Sequence, residues 1–311
     1  MGHEVKIWLS LMAIFLAANV LGAECCVLGE IDLRSDADQF HSFRARGGGF
    51  LRYDSPYQYM GVAAQGTHYS QRGWKRDAPG VLLLWRKQRR DTLAGTIAEA
   101  GLVRANGRAR VVGDATWSLR PNARAGFELI AAGDLVETQR AVDRGIAYSF
   151  LAASAEREIT PRFTVIALAG RQHFTDGNNR VHLRGRLIWM LVPEQGISAQ
   201  LRYRQFGSDS SDVGGAYFNP RRYRQFDAGL FIRKRRAGWV YSGGIAPGRE
   251  DIAGTGRTTA AIDARAEGPL WDDARIIVHA SYNRSAGFAI AERYWYSGAG
   301  VTVVLPLTAK R

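Results

Sequence analysis

Between Arg180 and Leu191 the chain alternates clearly. Val181, Leu183, Gly185, Leu187 and Trp189 fall in one phase, and His182, Arg184 and Arg186 in the other. Successive side chains of an extended strand point to opposite faces, so this run has one apolar and one cationic face. The pattern recurs. Ile197–Gln205 sets Ile197, Ala199, Leu201 and Tyr203 against Ser198, Gln200, Arg202 and Arg204. Arg108–Leu119 sets Ala109, Val111, Ala115 and Trp117 against Arg108, Arg110, Asp114 and Thr116. Thr258–Glu267 opposes Ala260, Ile262 and Ala264 to Asp263, Arg265 and Glu267. Turn clusters separate the runs, among them Asp54-Ser-Pro-Tyr, Thr175-Asp-Gly-Asn-Asn, Pro193-Glu-Gln-Gly, Pro247-Gly-Arg-Glu-Asp and Gly268-Pro-Leu-Trp-Asp-Asp. They recur about every 15–22 residues, too wide for an immunoglobulin-like sandwich and suited to strands of roughly ten residues tilted across a bilayer.

The residue classes on the two faces choose between a soluble sheet and a membrane barrel. Arg-x-Arg pairs stand where a soluble sandwich would place core, while Ala and Gly are common on the apolar face, as lipid contact tolerates. Tyrosines and tryptophans from Tyr53 to Tyr296 cluster near predicted strand ends, the expected place of interfacial girdles. A mean hydropathy of -0.21 excludes a polytopic helical membrane protein. Two cysteines exclude a disulfide scaffold, and 46% hydrophobic residues exclude disorder. About fifteen runs are countable, and single-chain bacterial barrels have even strand numbers. The expected fold is therefore all-β: a transmembrane antiparallel up-and-down β-barrel of about 14–16 strands.

The N-terminus reads as a secretory leader. A polar Met1–Lys6 precedes an apolar Ile7–Leu21 and small Gly22-Ala23, which places cleavage near Ala23. The expected division is residues 1–23 signal peptide, 24–40 flexible periplasmic segment and 41–311 outer-membrane barrel. Glu24 spoils a lipid-anchor reading of Cys25 and Cys26, which read as two thiols in a mobile tail. Export changes the meaning of the +13 charge: nucleic acid is not an expected partner, whereas outer-membrane lipids and lipopolysaccharide are. Trp85-Arg-Lys-Gln-Arg-Arg90 accordingly reads as a rim facing acidic head groups.

Three segments are more specific than their composition: Gly214-Gly-Ala-Tyr-Phe-Asn-Pro-Arg-Arg-Tyr223, Leu135-Val-Glu-Thr-Gln-Arg-Ala-Val-Asp-Arg-Gly-Ile146 and His173-Phe-Thr-Asp-Gly-Asn-Asn-Arg180. Together they resemble outer-membrane barrels of the exopolysaccharide-secretion type. Similar segments occur in the C-terminal barrel of cellulose synthase operon protein C, in bacteriophage adsorption protein A and in YaiO-type outer membrane proteins. The resemblance spans roughly residues 130–305 and lacks the helical-repeat region that precedes those barrels. It also departs at the C-terminus, which carries no terminal aromatic, although Trp295–Leu305 still reads as a last strand. It implies a conduit or accessory in exopolysaccharide export, with a polysaccharide chain as cargo. It also implies a separate glycosyltransferase or helical-repeat periplasmic protein as partner. The alternative is a structural or surface-receptor barrel, of phage-adsorption type, with a plugged lumen.

Catalytic chemistry is sparse. The six histidines belong to no Gly-x-Ser-x-Gly elbow and to no pair with zinc spacing. His279-Ala-Ser281 and His173-Phe-Thr175 put His and hydroxyl on one strand face, leaving an outer-membrane hydrolase as a third and weakest reading. No catalytic residue, metal or cofactor is expected. In the Tyr-Phe-Asn-Pro segment, Tyr217, Phe218 and Tyr223 beside Asn219-Pro220 form either a saccharide-stacking ledge or the small core of a rigid loop. The lumen candidates are Arg108, Arg110, Asp114, Arg184, Arg186, Arg202 and Arg204. Each Arg facing lipid at mid-membrane would cost roughly 2–4 kcal/mol, so these must point inward or lie beyond the hydrocarbon. Inside, Asp114, Asp227, Asp263 and Glu267 could pair with some, and Glu30, Asp32, Asp36 and Asp38 of the N-terminal segment could fold in to neutralise the rest. An excess of Arg over acid would leave a cationic interior that favours anions.

Overall fold

The computed structural model describes residues 26–210, 212–271, 274–285 and 294–306. One half of its wall is β1 (Cys26–Asp36), β2 (His41–Ser55), β3 (Gln58–Gln71), β4 (Trp74–Gln88), β5 (Gly95–Ala105), β6 (Arg108–Asn122), β7 (Ala125–Leu135) and β8 (Ala147–Thr160). The other is β9 (Phe163–Phe174), β10 (Asn179–Val192), β11 (Ile197–Ser208), β12 (Tyr223–Arg236), β13 (Trp239–Ile252), β14 (Thr255–Trp271), β15 (Ala274–Arg284) and β16 (Trp295–Pro306). Each strand pairs antiparallel with its neighbours in sequence, and β1 closes on β16 through pairs such as Ile31↔Val301. The result is a closed sixteen-stranded barrel.

The first strand corrects the expected domain division. Residues 26–36, assigned to a flexible segment, are wall: Ile31 and Leu33 are exposed on the outer face, while Asp32 and Arg34 turn inward to a mutual ion pair. Without β1, β2 and β16 would each present an unpaired edge, which hydrocarbon does not tolerate. Cys26 thus opens a strand, whereas Cys25 and the expected leader lie outside the described residues. Glu30, Asp32 and Asp36 reach the lumen as wall residues.

The alternation holds along the outer face, where Val111, Leu151 and Leu83 are 73%, 66% and 64% exposed. Two other expectations fail locally. Pro247-Gly-Arg-Glu-Asp251 is no turn: it lies inside β13, where the β12–β13 pairing lapses between Asp227↔Gly248 and Leu230↔Ile245 with its register unchanged. Proline has no N–H to give, and the ladder is interrupted where Pro247 sits. The Gly268-Pro-Leu-Trp cluster likewise belongs to β14, which runs through Trp271 with a register shift between Pro269 and Trp271.

The aromatics divide by phase. Phe163–Trp189 and Trp239–Tyr241 stack at 5.8 Å near one end of the wall, and Tyr282–Trp295 at 6.4 Å near the other. Tyr53, Tyr59, Tyr69, Trp74, Tyr148, Tyr223 and Tyr296 point inward instead. Tyr69, Phe40, Phe50, Leu82, Val103 and Val112 build an apolar cluster inside the β2–β6 side of the barrel. Strand-end aromatics therefore supply both girdles and internal packing, and parity decides which.

The longer connections at residues 136–146 and 209–222 gather at one end of the barrel; Cys26 and Pro306 lie at the other, with turns as short as 123–124 and 161–162. Outer-membrane barrels carry short periplasmic turns and longer outer loops, so the loop end is the outer mouth.

Leu129, outward and 55% exposed midway along β7, tests the assignment of faces. Leu129→Arg should lower unfolding stability in lipid vesicles by about 2–4 kcal/mol, read from the urea midpoint.

Candidate functional site: a plugged, arginine-lined lumen

The outer mouth is filled by two loops. Residues 136–146 contain the short helix α1 (Gln139–Arg144), started by Thr138, whose side chain accepts from Ala141 N at 3.2 Å. The helix ends at Gly145, whose φ of 63° is the left-handed conformation open to glycine without penalty. Residues 209–222 lie against it. The Thr138 hydroxyl donates to Ala216 O, Arg140 Nη1 to Gly214 O at 3.0 Å and Arg144 Nη1 to Val213 O at 3.3 Å.

The turn between β9 and β10 completes the plug. Tyr217 stacks on Phe174 at 4.4 Å and 13°, and its hydroxyl donates to Asp176 at 2.9 Å. Asn178 Nδ2 donates to Asn219 Oδ1 at 2.9 Å. Arg180 Nη2 reaches Phe218 O at 2.6 Å and Asn219 Oδ1 at 3.2 Å. Burial pushes the Tyr217 phenol up to about 12, so it remains a protonated donor at neutral pH. The three segments that carry the family resemblance thus converge on one structure. Tyr217 and Tyr223 are buried, and Tyr223 stacks on Phe206 at 4.6 Å with Phe218 edge-on at 5.8 Å. The motif is the packed core of a rigid loop, with Asn219 bonded inside it, Tyr217 and Tyr223 stacked on Phe174 and Phe206, and Pro220 leading to the exposed Arg221 and Arg222.

Below the plug the lumen has two unlike walls. On the β1–β7 side charges are compensated. Arg44 bridges Asp134 at 3.0 Å and Glu137 at 3.1 Å, Arg46 bridges Glu99 at 3.0 Å, and Arg34 joins Asp32 to Glu137. His279 Nε2 lies 3.1 Å from Asp32, which ties it into this network. Burial pushes the Glu137 carboxyl up, and Arg34 and Arg44 pull it back down. Asp114 belongs to this wall, opposite Glu99. Sequence patterning did not single out the wall, although Arg44-Ala-Arg46 has the same period as the runs that it did.

The β10–β11 wall forms no ion pair among the described residues, although Asp263 shares a cavity with Arg186 and Arg202. Arg184 is register partner to Arg204, and Arg186 to Arg202. Like charges directly opposite are destabilising unless something offsets them. Here neutral groups do. Gln200 Oε1 accepts from Arg186 Nε at 2.8 Å, Arg202 lies 4.0 Å over Phe231, and Arg204 lies over Phe206 and Tyr223 at 5.3 and 5.6 Å. Among the described residues, no carboxylate oxygen lies within 4.0 Å of Arg180, Arg184, Arg186, Arg202 or Arg204. Asp227, register partner of Arg202, is held by Thr259 at 2.8 Å and by Gln225. Glu267 pairs with Arg265 and Arg275. A cavity of about 790 Å³ runs along this wall past Arg186, Arg202, Phe231, Asp263 and Arg265. A second, of about 380 Å³, lies beneath the plug, lined by Arg180, Arg204, Phe206 and Tyr223 and, across from them, Asp134 and Glu137.

Four of the seven lumen candidates thus stand together. Arg108 and Arg110 instead hold the plug, donating to Arg144 O and, at 2.9 Å, to Gly145 O. In the Trp85–Arg90 segment, Trp85 is exposed on the outer face, whereas Arg86 lies over Tyr57 at 5.2 Å. Of the expected His–hydroxyl couples, His173 and Thr175 turn to other partners, Thr175 Oγ1 accepting from Ala147 N and His173 Nδ1 contacting Asn179, whereas His279 and Ser281 line one cavity with Asp32. Among the described residues, no three His, Cys, Asp or Glu side chains are grouped to hold a metal ion.

Closed wall, lipid-facing apolar surface and charged interior define an outer-membrane barrel of channel type. A structure described as a bacterial polysaccharide outer membrane secretin superposes with a TM-score of 0.63 at 10% identity, covering 92% of this chain and 99% of its own. CdiB from Acinetobacter baumannii gives 0.50 at 6% identity, over 91% of this chain and 60% of that one. OprD from Pseudomonas aeruginosa gives 0.45 at 11%, over 92% and 95%. At these identities the likeness to the secretin and to CdiB is one of fold. No protein-family model matches the chain, and no curated protein matches it in sequence.

Tyr217 is the ring on which the plug packs. Truncating a buried aromatic to alanine costs about 3–5 kcal/mol. Tyr217→Ala should therefore raise trypsin cleavage at Arg221 and Arg222 by roughly a hundredfold or more, measured on the folded barrel in vesicles.

Proposed function

We propose that this chain is a non-catalytic outer-membrane conduit for an anionic polysaccharide, an export component supplied by a separately encoded glycosyltransferase or helical-repeat periplasmic protein. The carrying observation is the pair of like-charge rungs, Arg184/Arg204 and Arg186/Arg202. A fold that needed only stability would place a carboxylate or an apolar pair there. Guanidiniums parked on an amide and on aromatic faces stay free to take a carboxylate or sulfate. Successive rungs lie about 7 Å apart along the strand, so an acidic chain can shift from one to the next. Several moderate sites in series let it both enter and leave. That a barrel of the same fold is described as a polysaccharide secretin supports the choice of cargo.

The packed plug favours a second reading, a surface receptor whose lumen stays closed. Conductance separates the two. In planar bilayers the conduit should prefer chloride over potassium, and Arg184→Glu with Arg202→Glu should reduce or reverse that preference. Deletion of the gene should abolish extracellular polysaccharide. Cation preference in the unmodified protein, or undiminished secretion in the deletion strain, would overturn the conduit.

A further inference from the structure

Arg180 stands at the top of the arginine wall and at the underside of the plug. Its Nη2 holds Phe218 O and Asn219 Oδ1, and its Nε donates to Ser208 Oγ at 3.2 Å. Its guanidinium rests on Phe206 at 4.5 Å and on Phe174 at 5.1 Å. Every one of these partners is neutral. A carboxylate offers a guanidinium a bidentate pair of bonds between opposite charges, so the plug is latched by the weaker of the partners that Arg180 can take.

Arg204 lies over the same Phe206 ring at 5.3 Å, which brings the two guanidiniums to one place. Its Nε is shielded from solvent and has no hydrogen-bond partner, and neither has Nδ1 of the nearby His182. Buried donors are almost always satisfied in folded proteins, and the Arg204 Nε has its unused bond beside a cavity that an acceptor can enter. Both arginines open onto the 380 Å³ cavity beneath the plug. The facing wall brings Asp134, Glu137 and Arg34; Glu137 is bridged by Arg34 and Arg44, and Asp134 by Arg44. Those carboxylates are already taken by Arg34 and Arg44, which leaves Arg204 and Arg180 as the cavity's guanidiniums without a carboxylate partner.

We propose that this cavity is a binding site for a sugar carboxylate, held by Arg204 and Arg180, and that its occupation draws Arg180 off Phe218 and Asn219 and releases the plug. The proposal rests on the reading of the lumen as an anion conduit and adds to it the signal that opens the mouth. A carboxylate climbing the rungs at Arg202 and Arg204 arrives beneath the latch, and only a charged ligand can compete for Arg180. A neutral sugar fills the space without exchanging the bond. Each state of the plug is then favoured by its own partner for one side chain, the differential contact that a ligand-driven shift requires.

The test is single-channel recording of the full chain in planar bilayers, with hexagalacturonate and the neutral maltohexaose as probes. Hexagalacturonate should raise the open probability about tenfold or more, and maltohexaose should leave it unchanged. Arg180→Gln should be open without saccharide, and Arg204→Gln should lose the response. Heat-dependent gel mobility reports whether each variant is folded. Calorimetry should show hexagalacturonate binding to the unmodified barrel and weaker binding to Arg204→Gln, a readout that stands even if a variant forms no channel. An anion-selective pore indifferent to hexagalacturonate, or equal binding by Arg204→Gln, would overturn the trigger and leave the conduit standing. A cation-selective pore would overturn the conduit itself.

Discussion

A backbone in hydrocarbon has no water to bond, so every N–H and C=O of the wall must find a partner in the next strand. The ring must close. The closure between β1 and β16 therefore governs the rest of the structure: it recruits Cys26–Asp36, charge-rich as that segment is, and sets the parity of the wall. Once the ring is closed, each strand has one face in lipid and one in the lumen, and a shift of one residue would exchange them. Arginine at the midplane of the lipid face costs several times more than near the interfaces. The register is consequently fixed by charge as firmly as by hydrophobicity, and Arg184, Arg186, Arg202 and Arg204 can face only inward.

What those inward residues do depends on the strands opposite. On the β1–β7 wall arginines meet Asp32, Glu99, Asp134 and Glu137, and the network holds together the wall, α1 and the loop that carries it. On the β10–β11 wall arginines meet each other. Gln200, Phe206, Phe231 and Tyr223 keep them apart and extended without cancelling their charge. Compensated charge stiffens a mouth, and uncompensated charge creates a field that concentrates anions in a low-dielectric channel. The two walls divide the tasks of plug support and anion attraction.

Much of this was legible in the sequence because both signals are local. Alternation over Arg180–Leu191 and Ile197–Gln205 gave the faces of most of β10 and β11, and the even-number rule brought the strand count close to sixteen. The failures have physical causes. β1 carries the same alternation, Val27, Ile31 and Leu33 against Glu30, Asp32, Arg34 and Asp36, but four charges in eleven residues make the run resemble a polar tail. Pro247 reads as a turn because an interrupted ladder is invisible in one dimension. Tyrosine at a strand end can join a girdle or, like Tyr69, the interior, and end position alone does not distinguish them. The convergence of Glu137–Ile146, Thr175–Arg180 and Gly214–Tyr223 is long-range, and only shared family texture pointed to it. Arg108 and Arg110 had the correct phase but lay too near the mouth to belong to the channel wall.

The most direct measurement is a crystal structure of the barrel soaked in bromide, with anions located by anomalous scattering. Bromide should occupy positions along β10 and β11 within hydrogen-bond distance of Arg184, Arg186, Arg202 or Arg204, with the Arg44 and Arg46 pairs left unoccupied. Asp227 or Asp263 within ion-pair distance of those four arginines, and no bromide beside them, would contradict a cationic lumen.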